Sequence, residues 1–305
     1  MSHRRSLPKR LASVLLLFGL LAAVCTPALA HTNAQVPQAK PATRAFALTI
    51  PKTVGGGGDY ATLKAAFDDI NAGVLTGAIQ LDVIGDTTET ATASLNASGI
   101  GSASYTSVLI QPYGGARTIT GSIIGAIIKL TGADNVTIDG RIAGVGRNLT
   151  VSNTSTSAST AAIWLTSTGV GAGATNNVIR NLEIAGGVTQ NTSTSSTFGI
   201  ILASNNTLIS TTSNSDDNDN NSFIANRIIR ARYGIVTRGT TTNLTLNTIV
   251  TDNIIGPSSF GADQIGKVGI FMQADQGATV SRNTVQFVEQ MTTFRFQVRS
   301  PSGMP

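Results

Sequence analysis

The chain is 305 residues long, with 21 Lys and Arg against 16 Asp and Glu, 12% charged residues, 32 glycines and a single cysteine. Four of the 21 basic residues and none of the 16 acidic ones fall within the first 30 positions, so the rest of the chain is nearly neutral. It lacks the long-range attraction that draws proteins to nucleic acid, and with Cys25 also in that leader, disulfides and thiol chemistry are excluded downstream.

Arg4, Arg5, Lys9 and Arg10 precede an apolar run from Leu11 to Val24 and the small-residue stretch Ala28-Leu29-Ala30. This is the order of a bacterial export signal cleaved before His31, which predicts a secreted or cell-surface protein. The apolar run is shorter than the roughly 20 residues that a spanning helix needs, and no second run follows, so no membrane span is expected. Residues 31–45, containing Pro37 and Pro41, read as a linker, residues 46–290 as the folded domain and 291–305 as a tail. Asp59 is placed to cap a helix on which Tyr60, Leu63, Phe67 and Ile70 share a face, with Gly73 to end it. Ile79, Leu81 and Val83 then alternate with Gln80 and Asp82, the pattern of a half-buried strand. Everything further on is short apolar runs separated by Gly, Ser, Thr and Asn, which makes the domain all-β.

Two strand types recur. In the first, Asn181, Asn226, Asn247 and Asn283 each have an apolar residue three places earlier (Val178, Phe223, Leu244 and Val280), and Asp139 with Val136 holds the same relation in "NVTIDG". Ile228, Ile249 and Val285 stand two places after the last three asparagines, whereas the first copy has Glu183 there and Ile184 one place later. The steps from Asp139 onward are 42, 45, 21 and 36 residues, so the shortest coil would need 21. In the second type, Ile128-Lys129-Leu130, Ile163-Trp164-Leu165, Ile200-Ile201-Leu202, Ile235-Val236-Thr237 and Ile270-Phe271-Met272 follow at steps of 35, 37, 35 and 35. Such a period built from strands is the signature of a solenoid whose coils stack on one another. Asparagine suits its corners because it tolerates the left-handed conformation, and its amide can bond to the backbone or to the next coil's Asn, about 4.8 Å away.

The pattern "NxIxxNxI…GI" resembles the right-handed parallel β-helix proteins of the pectin-lyase-like superfamily, over roughly residues 55 to 288. The resemblance implies a right-handed parallel β-helix with an N-terminal capping helix, formed by "DYATLKAAFDDI", and "GAIQLDVIGDTTETATASL" as the first coil. It leaves function open, since the superfamily holds lyases, hydrolases, esterases, epimerases, adhesins and phage tailspikes. Of the polygalacturonase-like motifs NTD, DD, GHG and RIK, only DD pairs occur, Asp68-Asp69 in the helix and Asp216-Asp217 in a loop. The WIDH-like, RxPxxR-like and GRPW segments of lyases and methylesterases are missing, and the only histidine past the leader is His31. An enzyme would have to work with Arg or Lys and carboxylates.

Three groups of residues are candidates for binding. Arg227, Arg230 and Arg232, with Arg238 and with Arg180 on a neighbouring strand, could hold the carboxylates of an acidic polysaccharide, or could be surface arginines paired with nearby acids. The column Lys129, Trp164, Ile201, Val236 and Phe271 should point outward if its neighbours point in, so Trp164 and Phe271 either offer a stacking surface or lie under inserted loops. Asp216, Asp217 and Asp219 gather the oxygen ligands that calcium prefers, or form a polar loop, and no other cofactor is implied. The expectation is a binding or structural β-helix that engages polysaccharide. The alternatives are a polysaccharide lyase or glycoside hydrolase, with Glu183, Asp252 or Asp275 facing Arg180 or Arg230 in a groove, and an adhesin that holds protein partners through the Trp164 to Phe271 column. The closing stretch "TTFRFQVRSPSGMP" shows no cap, so the last coil is expected to self-associate, and the chain reads as a piece of a longer protein.

Overall fold

The structure, a computed structural model, describes residues 51–187, 196–203, 209 and 217–289. All of them belong to one compact unit, Ala47–Pro305. The export signal, the linker and the tail 291–305 lie outside the described residues. Among the described residues no helix is long and apolar enough to cross a membrane.

The chain winds as a parallel solenoid, contributing one strand per turn to each of three sheets of eight, seven and six strands. One turn runs through Val178–Arg180, Leu182–Ala185 and Thr197–Leu202, and the next through Ser222–Ile224, Arg227–Ile229 and Ala231–Arg238. The six strands of the third sheet count about six complete turns. The core is a set of side-chain columns running along the solenoid. Ile138, Ile179, Phe223 and Val250 stack from the first sheet, Val151, Ile184, Ile228 and Ile255 from the second, and Ile128, Ile163, Ile200 and Ile235 from the third. Each is fully buried or within 1% of it, and burial of an aliphatic side chain of this size stabilises by about 1.5–3 kcal/mol. The second strand type is aligned as its spacing predicts, with Ile163 beside Ile128 and Ile200, and Ile235 beside Ile270.

The asparagine pattern proves to be two patterns. The left-handed corner between the first and second sheets is taken by Asn181, Ala225, Asp252 and Arg282, with φ of 54°, 55°, 59° and 52°. The ladder stands one residue later, at Asn226, Asn253 and Asn283. Asn253 Oδ1 accepts from the backbone N and Nδ2 of Asn226, and Asn283 Oδ1 from the same two atoms of Asn253. Asn181 is therefore a corner residue and not a ladder residue, which is why Ile184, rather than Glu183, aligns with Ile228. Asn247 belongs to another corner, where the chain enters the first sheet, and it stands there with Asn176 and Asn220 at φ of 56° to 57°. The shortest step is accordingly the 27 residues from Asn226 to Asn253.

The helix spans Leu63–Asn71 and is capped by Thr62, whose side chain accepts from the Ala65 N–H. Asp59 instead accepts from the backbone N and hydroxyl of Thr53, so Tyr60 precedes the helix rather than lying on its face. The first-turn N–H groups of Leu63 and Lys64 are taken by the buried Glu89 carboxylate, where the helix dipole favours a negative charge. Leu63, Ala66, Phe67 and Ile70 are buried in the solenoid core. Asn71 donates to the Ser94 carbonyl and accepts from the Asn96 N–H, which satisfies part of the outermost strand of the third sheet, Ala93–Asn96.

Candidate functional site

Alternation along the first sheet sends Ile79, Leu81 and Val83 inward and Gln80 and Asp82 outward. The register places Gln111 beside Asp82, and Arg180 beside Asp139 on the next pair of strands. Ile110 pairs with Ile138, so the residues that follow, Gln111 and Asp139, complete one outward row: Asp82, Gln111, Asp139, Arg180. Hydrogen bonds tie the row in two separate groups, one around Asp82 and one around Asp139. Asp82 Oδ1 accepts from Gln80 Nε2 at 2.9 Å and from Gln111 Nε2 at 3.0 Å. The Asp139 carboxylate accepts from Arg141 Nη2 at 2.7 Å and from Arg180 Nε at 2.9 Å. Burial works to raise the Asp139 carboxyl, but the guanidinium groups of Arg141 and Arg180 outweigh it and hold the group below the usual carboxylate range. Beyond Arg180 the row becomes Ile224, Thr251 and Ser281.

Two loops border the row. Tyr113 follows the strand Ser104–Pro112 directly, keeps its N–H on the Val83 carbonyl, and is 61% exposed. After Arg141, Ile142 and Val145 close a small antiparallel bridge, and Arg147 reaches along the solenoid so that its Nε donates to the Ala225 carbonyl at 2.7 Å. At the other end, Gln80 helps line a shallow depression with Lys52, Val74 and Thr76. An exposed aromatic ring beside planar amide and guanidinium groups, with carboxylates among them, offers an apolar face and fixed donors and acceptors on one surface.

The residues singled out from the sequence do not converge. Arg230 sits at a left-handed corner, φ 50°, between the second-sheet strand that carries Arg227 and the third-sheet strand that carries Arg232. The corner points the three side chains in different directions. Arg227 pairs with Glu183 at 3.0 Å and Arg230 with Asp263 at 2.6 Å, while Arg232 is buried with its guanidinium 5.4 Å from the Tyr233 ring centre. Asp252 pairs with Arg282 and Arg180 with Asp139, and among the described residues none of Glu183, Asp252 and Asp275 forms an ion pair with Arg180 or Arg230.

Trp164 does point away from the main core, but it is only 5% exposed and its Nε1 donates to the Ala203 carbonyl at 2.8 Å. With Phe198, Ile201, Tyr233 and Val236 it forms a second apolar cluster, joined by Ile209 from the insertion between Leu202 and Ser222, and Lys129 Nζ lies 4.2 Å from its ring centre. Phe271 packs at the margin of this cluster and is partly buried. The Trp164 ring is thus not presented to solvent.

Asp216 lies outside the described residues. Asp217 accepts from the Gly171 N–H and Asp219 from the Leu246 N–H, and no group of three or more His, Cys, Asp or Glu converges among the described residues. Burial, followed by the nearby Asp217 charge, raises the Asp219 carboxyl against the Leu246 hydrogen bond. Burial also pushes the Asp275 carboxyl up to about 6 from 3.8. Between those two values the folded chain keeps a proton that the unfolded chain has released, so stability should fall as pH rises through that window. Asp275→Asn should flatten this slope, as read by urea unfolding across the window with a chelator present.

The signal for the outer row was present in the sequence, as Gln80, Asp82 and Gln111 at alternate strand positions and Tyr113 at the strand's end, but alternation alone does not say which strands are neighbours. The fold and site define the class, a parallel β-solenoid with a polar outer row on one sheet. No family model, curated protein or solved structure matches the chain.

Proposed function

We propose that this protein is exported and binds polysaccharide along the outer face of its first sheet, as a right-handed β-helix of the pectin-lyase-like kind whose N-terminal end is closed by the helix Leu63–Asn71. The observation that carries this reading is the outward row of two hydrogen-bonded pairs, Asp82 with Gln111 and Asp139 with Arg180, with the exposed Tyr113 two residues after Gln111. Neighbouring strands repeat at about 4.8 Å, so Gln111 and Arg180, held in place by the buried carboxylates of Asp82 and Asp139, offer an extended polymer spaced polar contacts, with Tyr113 as a stacking platform. The guanidinium groups of Arg141 and Arg180 around Asp139 supply planar donors suited to a polymer's carboxylates at that end of the row. The test is retention on a panel of neutral and acidic polysaccharides. Tyr113→Ala should weaken retention about tenfold, and Gln111→Ala should weaken it too. The Tyr113 variant should melt where the wild type does, since that ring is mostly in solvent. Equal retention by wild type and Tyr113→Ala would refute the assignment to this face.

A hydrolase reading is favoured by one observation. Asp82 and Asp139 stand in the same row two strands apart, a spacing of about 9.6 Å, near the upper end of the carboxylate separation in inverting glycosidases. On that reading new reducing ends appear during incubation with a bound polymer and disappear in Asp82→Asn. Retention without cleavage would leave the binding reading alone.

A further inference from the structure

At the third corner, where the chain returns from the third sheet to the first, polar side chains again stack inward. Asn177 donates its N–H to Asn221 Oδ1, and Ala174 donates its own to Asn218 Oδ1, so these asparagines are satisfied coil to coil. One coil on, threonines take over. Thr248 follows Asn221 in the stack, since Ser222 pairs with Ile249, and Thr245 pairs with Asp275. A hydroxyl is too short to continue the amide ladder. Thr245 and Thr248 are 1% and 0% exposed, and neither hydroxyl oxygen has a partner. Asp275 Oδ1 is likewise buried without a partner, and its Oδ2 accepts a 3.3 Å bond from the Thr237 hydroxyl. Thr248, through its hydroxyl and its backbone N–H, and Asp219, through its charge, are close enough to act on the Asp275 carboxyl. Neither Asp219 nor Asp275 takes part in an ion pair among the described residues.

Two carboxylates outside any ion pair among the described residues and two buried hydroxyl oxygens are a donor set made only of hard oxygen atoms. Such a set suits calcium better than the zinc or copper that nitrogen and sulfur would select. We propose that Asp275, Asp219, Thr245 and Thr248 form a calcium-type cation site inside the third corner of the last turns, binding that ion in place of the missing asparagine ladder. The bound ion would neutralise Asp275 and tie the turns on either side of it together. This site is independent of the polysaccharide face and uses none of its residues.

The test uses the full chain freed of metal with a chelator near neutral pH, titrated with calcium chloride in a calorimeter and melted with and without it. Saturable binding of one ion and a melting point several degrees higher are expected. Asp275→Asn should weaken calcium binding at least tenfold, yet melt above the metal-free wild type because the unpaired charge is gone. Asp263→Asn, which removes the exposed partner of Arg230, should respond to calcium as the wild type does. If Asp275→Asn does not fold, Asp219→Asn is read in the same way. No heat and no melting shift with calcium would overturn the proposal, as would an undiminished response in the carboxylate variant or an equal response to magnesium.

Discussion

Gly234→Ala is expected to destabilise the solenoid by about 3 kcal/mol or more, an unusually large effect for one added methyl group. A Cβ at Gly234 would stand 2.4 Å from the Gly269 carbonyl oxygen of the next coil and 2.6 Å from Ile255 Cγ2. Gly199 and Gly269 hold the same place in the neighbouring coils, where a Cβ would come within 2.4 Å of Ile228 and Val285. Earlier in the solenoid the sizes are exchanged. Ile127 takes this position, and Gly121, whose added Cβ would meet Ile127 Cδ1 at 3.1 Å, gives way on the second sheet. The side-chain contact could be relieved by repacking, but the carbonyl belongs to the ladder that holds the coils at their spacing and cannot withdraw without breaking it. Against an Ile255→Ala background, which lacks the Cγ2 methyl, Gly234→Ala should therefore recover only part of the loss in chemical unfolding. Full recovery would show that the isoleucine, not the backbone, sets the limit.

Asn253→Ala is expected to cost a similar amount, about 3 kcal/mol, through unmade hydrogen bonds rather than collision. Asn253 is wholly buried. Its Oδ1 accepts from the N and Nδ2 of Asn226, and its Nδ2 donates to the Phe223 and Thr251 carbonyls and to Asn283 Oδ1. Alanine would leave partners on both adjacent coils unsatisfied and out of reach of water. In a solenoid each coil is stabilised by its neighbours, so the loss should be local. Amide hydrogen exchange should accelerate in the strands from Ser222 to Val285 while those before Asp139 keep their protection. Arg282→Ala, which removes an ion pair whose side chains are 68% and 39% exposed, provides the contrast and should change stability little.

These two residues also mark what could be read in advance. A repeat of 35 to 37 residues with an isoleucine at its centre named the third-sheet columns correctly from Ile128 to Ile270, because an inward position must be apolar in every coil. The half-buried strand from Ile79 to Val83 and the apolar face of the helix were legible for the same reason. The sequence pattern placed Asn247 where the ladder has Asn253 and grouped the corner residue Asn181 with the ladder, since corner and ladder both favour asparagine.

The sequence by itself determined that this chain is an all-β solenoid, because periodic burial leaves its mark on every coil. Only the tertiary structure decided which outward residues meet. Left-handed corners turned Arg227, Arg230 and Arg232 away from one another, packing with Phe198, Ile201, Ile209 and Tyr233 buried Trp164, and strand stacking aligned Asp82, Gln111, Asp139 and Arg180 across nearly one hundred residues of chain. The physical reason is that inward positions share one requirement, exclusion of water, whereas an outward residue is defined by neighbours one coil away, whose distance along the chain changes with every inserted loop.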